Sequence, residues 1–235
     1  MTPRILVIIP ALNEERSIGK VIADIPRDLV REVVVTDNGS TDRTAENALN
    51  AGATVLREDR RGYGYACSKG MDYALSKPAG ERPQIIVFLD GDYSDHPEEM
   101  GALVNPIIED GFDMVIGSRT IGARERWALL PQALFGNALA TTLIRWLYGV
   151  EFTDVGPFRA IKFDKLMALG MSEMTYGWTV EMQIKAAKKG LRCGEVPVCY
   201  RKRIGVSKVT GTLGGTLNAG FKILLTIFKH IGDRN

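Results

Sequence analysis

Residues 84–100 read QIIVFLDGDYSDHPEEM, an apolar run that ends in two aspartates separated by a single glycine. An unbroken run of Ile, Val, Phe and Leu is typical of a strand buried on both faces of a parallel sheet. Asp90 and Asp92 would stand where that strand ends, and their spacing puts both carboxylates on the same side of an extended backbone. The stretch therefore predicts a buried strand that brings two carboxylates to one point.

Four further runs have the same character, and the first three are each followed by a helical pattern. They are RILVIIP (4–10), EVVVTDN (32–38), TVLRE (54–58) and DMVIGSR (113–119). Strands that alternate with helices predict an α/β fold with a mostly parallel sheet flanked by helices. The second half is predicted to be mixed, with an apolar helix (131–148), a strand or loop (153–161), two helices, a strand-like stretch (192–203) and a final helix after Thr212.

Composition argues against several classes of function. A formal net charge of +2 is too small a basic excess to indicate a nucleic-acid-binding protein. Two histidines argue against a zinc cluster. The three cysteines form no C-x-x-C pair and predict buried, reduced thiols of a cytoplasmic protein.

Two segments, 129–150 and 216–231, are the most apolar of the chain, but Arg145, Lys222 and Lys229 interrupt them. Neither offers the ~20 uninterrupted apolar residues of a membrane-spanning helix. We expect core or interface helices here. Two further interpretations stay open. Apolar residues with lysines suit the headgroup region, so the helices could make peripheral contact with the cytoplasmic membrane face. They could also form a homodimer interface.

Polar residues follow four of the predicted strands, at the edge where ligands bind in open α/β sheets. The stretches are PALNEE (10–15), TDNGSTD (36–42), DGDYSD (90–95) and GSR (117–119). Three of the four carry carboxylates, whereas a merely solubilising surface would scatter its charge. The side chains expected to share one site are Pro10, Asn13, Glu14, Asp37, Asn38, Ser40, Asp90, Asp92 and Arg119.

The paired carboxylates of Asp90 and Asp92 need a cation or a raised pKa, because two like charges repel in a cleft. Hard oxygen ligands suit Mg²⁺ or Mn²⁺, which often adds substrate phosphates to one or two carboxylates. The alternative is an ordinary turn, since D-G-D is good turn chemistry. Asp37 is placed to accept hydrogen bonds from a nucleotide base or ribose, while the absence of G-x-G-x-x-G argues against an NAD site.

The stretches VIIPALNEERSIGKVI (7–22), VVVTDNGSTDRT (33–44), FLDGDYSDHPEE (88–99) and GSR together resemble the GT-A fold of family 2 glycosyltransferases. TDVGPFRAI (153–161) is similar to the D-x-x-(S)GFR segment of dolichyl- and polyprenyl-phosphate sugar transferases, and GVSKVTGT (205–212) to their basic Ser-Lys segment. The resemblance covers about residues 4–212. It implies transfer of a hexose from a GDP- or UDP-sugar to a polyprenyl or dolichyl phosphate.

The resemblance also implies roles for individual residues. Asp90 and Asp92 would hold Mg²⁺ or Mn²⁺ on the diphosphate. Phosphate groups of donor or acceptor would meet Arg119, Arg159 and Lys208. Arg159, Arg203 of the basic run YRKR (200–203) or Lys208 could also stabilise the leaving diphosphate, and Arg159 is therefore counted among the catalytic residues. The donor would be bound by Pro10, Ala11, Asn13, Glu14, Asp37, Asn38, Ser40, Asp90, Gly91 and Asp92.

Two departures from the family pattern stand out. Ser94 replaces the usual Gln after D-x-D, and VGPFR replaces SGFR. A hydroxyl acceptor would need a general base, for which Asp154 and Glu181 are the candidates, whereas an ionised phosphate acceptor needs none. A small soluble acceptor of the glycerate type and a catalytically silent nucleotide-sugar-binding protein are the alternative functions.

The same reasoning predicts a single domain over residues 1–235. Residues 1–120 would form the nucleotide-sugar-binding half and 121–211 the acceptor-side half, followed by a C-terminal apolar helix over 212–235.

Overall fold

The computed structural model describes residues 3–205 and 213–232. Within this part of the chain, seven strands lie in one sheet in the order β3-β2-β1-β4-β6-β5-β7. The strands are β1 (Ile5–Ala11), β2 (Glu32–Asp37), β3 (Thr54–Arg57), β4 (Ile85–Phe88), β5 (Met114–Ser118), β6 (Arg159–Lys162) and β7 (Cys193–Pro197).

All neighbouring strands are parallel except those that pair with β6, which is antiparallel to both β4 and β5. Arg159, the first residue of β6, lies opposite Phe88 of β4 and Ile116 of β5. The amino end of β6 therefore stands at the same edge as the carboxyl ends of the parallel strands. The predicted mostly parallel α/β sheet is confirmed.

Eight helices cover the sheet in the described residues, and a single 3-10 turn (Pro97–Glu99) precedes the fourth. They are α1 (Ile18–Asp24), α2 (Thr44–Asn50), α3 (Tyr63–Ser76), α4 (Met100–Glu109), α5 (Pro131–Tyr148), α6 (Phe163–Leu169), α7 (Trp178–Lys188) and α8 (Leu213–Lys229).

Each face of the sheet carries its own hydrophobic core. Along β1, Ile5, Val7 and Ile9 pack with α1 and α4, while Leu6 and Ile8 pack on the opposite face with α3, α5, α6 and α7. Because side chains alternate along a strand, a strand buried on both sides needs apolar residues at every position. This is the physical reason for the unbroken apolar runs.

Local signals set several helix ends. Pro131 opens α5, where the missing N–H costs nothing, and Gly149 ends it with a positive φ of 71°. At the start of α2 the residue just before the helix is Arg43, which makes no side-chain cap. Asp42, one residue earlier, accepts hydrogen bonds from the backbone N–H (3.0 Å) and hydroxyl (2.5 Å) of Thr44.

The three cysteines are free thiols, of which Cys67 is buried while Cys193 and Cys199 are half-buried. The prediction that all three are buried is therefore wrong for two of them. In the part of the chain that the structure describes, no helix has the length and apolar character needed to cross a membrane.

Candidate active site

A cavity of about 310 Å³ opens at the carboxyl ends of β1, β2 and β4. We call it the strand-end cavity. Its walls are formed by Pro10, Ala11, Leu12, Glu14, Asn38, Arg61, Gly62, Tyr63, Ala66, Asp90, Gly91, Asp92, Thr175, Tyr176 and Arg203. Seven of the residues predicted as donor-binding or phosphate-binding from the first 120 positions are thus brought together, with Arg203 arriving from far along the chain.

Asn13, Asp37 and Ser40 do not line the strand-end cavity but hold its rim in place. The Ser40 hydroxyl accepts a hydrogen bond from the Asn13 backbone N–H (2.9 Å), and the Asn13 side chain accepts one from the N–H of Thr41 (2.9 Å). Asp37 accepts from the Ser40 N–H (3.0 Å). These bonds join the loops after β1 and β2, so the three residues position the cavity wall.

Asn38 and Glu14 reach the cavity and are also tied to neighbouring loops. The Asn38 amide donates to the carbonyl of Arg60 (2.7 Å), and its oxygen accepts from the N–H of Gly62 (2.9 Å), which attaches the start of α3 to the end of β2. Glu14 is buried and accepts a hydrogen bond from the Ser17 hydroxyl (3.0 Å). Both side chains are held in single orientations at the wall.

Asp92 is buried and has a different partner on each oxygen. Oδ1 accepts hydrogen bonds from the backbone N–H (2.9 Å) and the hydroxyl (2.5 Å) of Ser94, and Oδ2 lies 2.5 Å from Nη2 of Arg203. Asp90 lines the same cavity, and burial together with the charge of Asp92 raises the pKa of Asp90 to about 7. Ser94, the departure from the family pattern, orients one of the two paired carboxylates.

Asp90 and Asp92 place hard oxygen donors on the wall of the same cavity. Among residues 3–205 and 213–232, no group of three or more His, Cys, Asp or Glu side chains is arranged to hold a metal ion. A cation at Asp90 and Asp92 would therefore need oxygen atoms from a ligand to complete its shell. That requirement fits Mg²⁺ or Mn²⁺, which commonly joins one or two carboxylates to phosphate oxygens.

The segment after β7 is bound to the loop that carries Asp92. Arg201 donates its backbone N–H to the Ser94 carbonyl, and Ile204 donates its N–H to the Asp92 carbonyl, both at 2.9 Å. The guanidinium of Arg201 also lies 3.4 Å from the centre of the Tyr93 ring. These contacts hold the segment in place, and Arg203 of the basic run YRKR lines the strand-end cavity.

Arg119 and Asp154 form a closed pair outside the strand-end cavity. Arg119 donates to Asp154 through Nε (2.8 Å), Nη2 (2.7 Å) and its backbone N–H (2.8 Å), and its guanidinium lies 5.1 Å from the centre of the Tyr200 ring. Burial alone would raise the pKa of Asp154, but the charge and hydrogen bonds of Arg119 lower it. A carboxylate held in this way is better suited to positioning Arg119 than to accepting a proton.

The other two predicted catalytic residues are also engaged by the protein. Arg159 is fully buried and donates to the carbonyls of Gly156 and Thr179, and burial lowers its pKa to about 10. Glu181 accepts from the backbone N–H groups of Ser172 and Glu173 and pairs with Lys185 at 2.9 Å. Burial would raise the pKa of Glu181, but these hydrogen bonds lower it. Neither Arg159 nor Glu181 lines the strand-end cavity.

Lys208, the last predicted phosphate-binding residue, lies outside the described residues. Of the predicted site residues, the strand-end cavity is lined by Pro10, Ala11, Glu14, Asn38, Asp90, Gly91, Asp92 and Arg203, and not by Asn13, Asp37, Ser40, Arg119, Asp154, Arg159 and Glu181.

Sequence reasoning missed a further part of the cavity wall, which is formed by Arg61, Gly62, Tyr63, Thr175 and Tyr176. The signal was the glycine-rich stretch GYGYACSKG, which matches no phosphate-binding loop.

Two glycines of that stretch let the loop carrying Thr175 and Tyr176 approach the start of α3. A Cβ on Gly62 would stand 2.3 Å from the carbonyl oxygen of Met174, and one on Gly64 would stand 2.3 Å from that of Glu173. Gly62 also has a φ of 149°, which side chains disfavour. The glycines serve close packing of two chain segments that are more than 100 residues apart.

Asp95 is another residue that the predicted site did not include. It is buried, and neither of its carboxylate oxygens has a hydrogen-bond partner among the described residues. Burial and the charges of Asp90 and Asp92 raise the pKa of Asp95 well above its ordinary value. Burial and the two neighbouring carboxylates thus both disfavour the charged form of Asp95.

Comparison with known proteins places this chain in one family. The family model Glycosyl transferase family 2 matches residues 6–170. A dolichyl-phosphate hexose transferase of Haloferax volcanii is 35% identical over 212 residues, which are 89% of this chain and 88% of that protein. A polyprenol monophosphomannose synthase of Mycolicibacterium smegmatis is 28% identical over 90% of this chain and 83% of that protein.

Among solved structures, glucosyl-3-phosphoglycerate synthase from Mycobacterium tuberculosis, in complex with Mn²⁺, UDP and phosphoglyceric acid, is similar with a TM-score of 0.74. The match covers 99% of this chain and 80% of that chain at 23% identity, so it supports the shared fold alone. The family match and the fold agree with the sequence-based expectation of a GT-A fold. The chain belongs to glycosyl transferase family 2 and is a glycosyltransferase.

Proposed function

We propose that this glycosyltransferase moves a hexose from a GDP- or UDP-sugar to a polyprenyl or dolichyl phosphate, with Mg²⁺ or Mn²⁺ bound at Asp90 and Asp92. The observation that supports a phosphate acceptor best is that both candidate general bases are engaged by other residues. The Asp154 carboxylate accepts hydrogen bonds from the Arg119 guanidinium, and the Glu181 carboxylate accepts one from the Ser172 hydroxyl.

A hydroxyl acceptor must lose a proton as it attacks the sugar, so its enzyme needs a base in the cavity. An ionised phosphate oxygen attacks without that step. Among the cavity-lining acids, Asp90 and Asp92 are assigned to the cation, and Glu14 accepts a hydrogen bond from Ser17. The lack of an uncommitted carboxylate on these walls therefore favours a phosphate acceptor over a small hydroxyl acceptor of the glycerate type.

The donor would lie in the strand-end cavity with its diphosphate at the carboxyl end of β4. Breaking the bond between the anomeric carbon and the phosphate puts negative charge on the leaving nucleoside diphosphate. A bound divalent cation would stabilise this charge electrostatically. Arg203 also lines the cavity, and its guanidinium lies beside Asp92, where the cation is proposed to bind. Asn13, Asp37 and Ser40 would keep the nucleoside-facing rim rigid through their hydrogen bonds.

We also propose that the two predicted halves of the chain bind different substrates. We assign donor binding mainly to residues 1–120 and acceptor binding mainly to residues 121–211. Thr175, Tyr176 and Arg203 of the second part also line the strand-end cavity, which brings the two substrates to one place. The similarity to a dolichyl-phosphate hexose transferase and a polyprenol monophosphomannose synthase supports the choice of acceptor.

A lipid acceptor is also consistent with the exposed surface of α5 and α8. These helices pack against each other, and the Tyr148 hydroxyl of α5 donates to the Ile227 carbonyl of α8 (2.5 Å). On α5 the side chains of Phe135 and Trp146 are 72% and 75% exposed. Further exposed apolar side chains on the two helices are Leu139, Leu147, Phe221, Leu225 and Phe228.

We propose that this surface rests on an anionic membrane. Lys222 and Lys229 belong to the same helix as the exposed phenylalanines of α8, and Arg145 lies beside Trp146 on α5. Large aromatic side chains accompanied by cations suit the headgroup region of an anionic bilayer. A homodimer through the same helices is the alternative.

The direct test of function uses the full chain with radiolabelled GDP-mannose or UDP-glucose, Mn²⁺ and a short-chain polyprenyl phosphate. Label should enter the organic phase with the lipid phosphate and not appear on a glycerate-type acceptor. Transfer to 3-phosphoglycerate in place of the lipid would overturn the acceptor assignment. Donor binding without transfer to either acceptor would favour the catalytically silent alternative.

The membrane claim is tested by flotation with vesicles of phosphatidylcholine, alone or with phosphatidylserine. The full chain should bind the anionic vesicles, and the double change Phe221→Gln with Phe228→Gln should abolish binding. Leu49→Gln, which alters an exposed apolar residue of α2, is the matched control and should bind normally. A wild-type dimer in light scattering that the double change dissociates, without vesicle binding, would identify the surface as a dimer interface.

A further inference from the structure

Two Arg–Asp pairs of the site differ in how many guanidinium nitrogens contact the carboxylate. Arg119 offers both Nε and Nη2 to Asp154, and its side chain is only 13% exposed. Arg203 meets Asp92 through Nη2, while its Nε is buried without a hydrogen-bond partner among the described residues. The Arg203 side chain is also 30% exposed on the cavity wall. The first pair is a closed fork, and the second engages one end of the guanidinium.

Arg203 also lies close to two strand-end carboxylates. Its Nη2 lies 2.5 Å from Oδ2 of Asp92 and 3.7 Å from Oε1 of Glu14. A buried carboxylate such as Asp92 is unfavourable without an opposite charge. In the structure, Arg203 supplies this positive charge to Asp92. In the enzyme loaded with metal, a divalent cation would supply it instead.

We propose that Arg203 is an exchangeable counter-ion of Asp92, which gives up the carboxylate when a divalent cation binds and then pairs with the diphosphate of the donor. This inference rests on the proposed metal-dependent donor binding. The backbone bonds from Arg201 to Ser94 and from Ile204 to Asp92 keep the segment in place, so only the side chain has to move.

The physical reason for the exchange is charge. A divalent cation on Asp92 repels the guanidinium that was paired with it, and the released donors need a new acceptor. Phosphate oxygens match the planar fork of arginine and accept charge-assisted hydrogen bonds from it. Arg203 therefore weakens binding of the cation alone and strengthens binding of the nucleoside diphosphate once the cation is present. The two effects have opposite signs, which a purely structural role for Arg203 would not produce.

The test measures Mn²⁺ binding to the full chain by electron paramagnetic resonance of free Mn²⁺, first without nucleotide. Arg203→Ala should bind Mn²⁺ about fivefold more tightly than wild type, the change expected when competition from a partly exposed ion pair is lost. With saturating Mn²⁺, the same variant should bind UDP or GDP, whichever the wild type binds, more weakly. Arg203→Gln keeps much of the side-chain length and should give the same two changes if Arg203→Ala does not fold.

Arg61→Ala is the matched control, because Arg61 lines the same cavity without pairing with Asp92. It should leave Mn²⁺ binding to the nucleotide-free protein unchanged. Equal or weaker Mn²⁺ binding by the Arg203 variants would overturn the exchange. If Asp92→Ala loses Mn²⁺ in that case, the proposed metal site stands and the exchange alone is wrong. If Asp92→Ala binds Mn²⁺ like the wild type, the metal assignment fails as well.

Discussion

The Ser94 side chain and backbone both donate to one oxygen of Asp92, at 2.5 Å and 2.9 Å. This double contact fixes Asp92 Oδ1 and leaves Oδ2 to face Arg203. The residue that departs from the family pattern therefore has a defined structural role, which is to orient the carboxylate two positions before it in the chain.

Replacement of Ser94 by Ala should weaken Mn²⁺-dependent binding of the nucleoside diphosphate by about fivefold. One hydrogen bond to the carboxylate is lost, and such a bond contributes about 1 kcal/mol. Calorimetric titration of the variant measures the effect. Ser76→Ala, which removes a hydroxyl bonded to the Tyr73 carbonyl at the end of α3, is the control. Unchanged affinity in Ser94→Ala would mean that Ser94 does not orient Asp92 in solution.

Replacement of Gly64 by Ala should disturb the loop that carries Thr175 and Tyr176. The added Cβ would stand 2.3 Å from the Glu173 carbonyl oxygen, and the resulting overpacking should cost about 2 kcal/mol of unfolding free energy. Nucleotide affinity should fall with it.

The control for Gly64→Ala is Gly80→Ala, because a Cβ on Gly80 meets nothing within 4 Å. Urea unfolding and nucleotide titration of both variants give the comparison. Since Ala favours helices over Gly, a stabilised Gly64→Ala protein would show that the close approach between α3 and the loop does not exist.

Replacement of Asp154 by Asn should destabilise the fold by about 3 kcal/mol, because the buried guanidinium of Arg119 loses its charged partner. The exposed pair of Arg145 and Glu151 offers a control, and Glu151→Gln should change stability little. Chemical denaturation followed by tryptophan fluorescence measures both. An Asp154→Asn protein with wild-type stability and lost turnover would instead identify Asp154 as the general base.

Much of the strand-end cavity was predictable from sequence. The strand ends of β1, β2 and β4 are local features, because an apolar run followed by polar residues marks where a buried strand stops. The shared edge of a parallel sheet then brings Glu14, Asn38, Asp90 and Asp92 to one cavity. No long-range contact has to be known for that step.

The other features of the site were harder to predict, because these side chains take their roles from distant partners. The Asp154 carboxylate could have been a base or an ion-pair partner, and only its contact with Arg119 distinguishes the two. Arg203 meets Asp92 across 111 positions of the chain, and the glycines at 62 and 64 meet a loop beyond position 170. Such pairings depend on tertiary structure and leave no periodic signal.

The pH dependence of stability should contain a contribution from Glu58. Hydrogen bonds from Arg60 lower the pKa of Glu58 to about 2, below the ordinary value of 4.5. Because the folded-state pKa is depressed, this stabilisation is present above pH 4.5 and is lost as the pH falls towards 2.

Glu58→Gln should therefore be less stable than wild type at pH 7, and the difference between them should narrow between pH 4.5 and pH 2. Urea unfolding of both proteins across this range measures it. A difference in unfolding free energy between wild type and Glu58→Gln that does not change with pH would contradict the lowered pKa of Glu58.

The central claim is that the strand-end cavity binds a nucleotide-diphosphate sugar through a cation at Asp92. Its most direct test is isothermal titration of the wild type and Asp92→Ala with UDP-glucose and GDP-mannose, each with and without Mn²⁺. We predict that at least one donor binds the wild type in a Mn²⁺-dependent manner and that Asp92→Ala loses this dependence. Failure of both donors to bind, or Mn²⁺-dependent binding that Asp92→Ala retains at wild-type affinity, would contradict it.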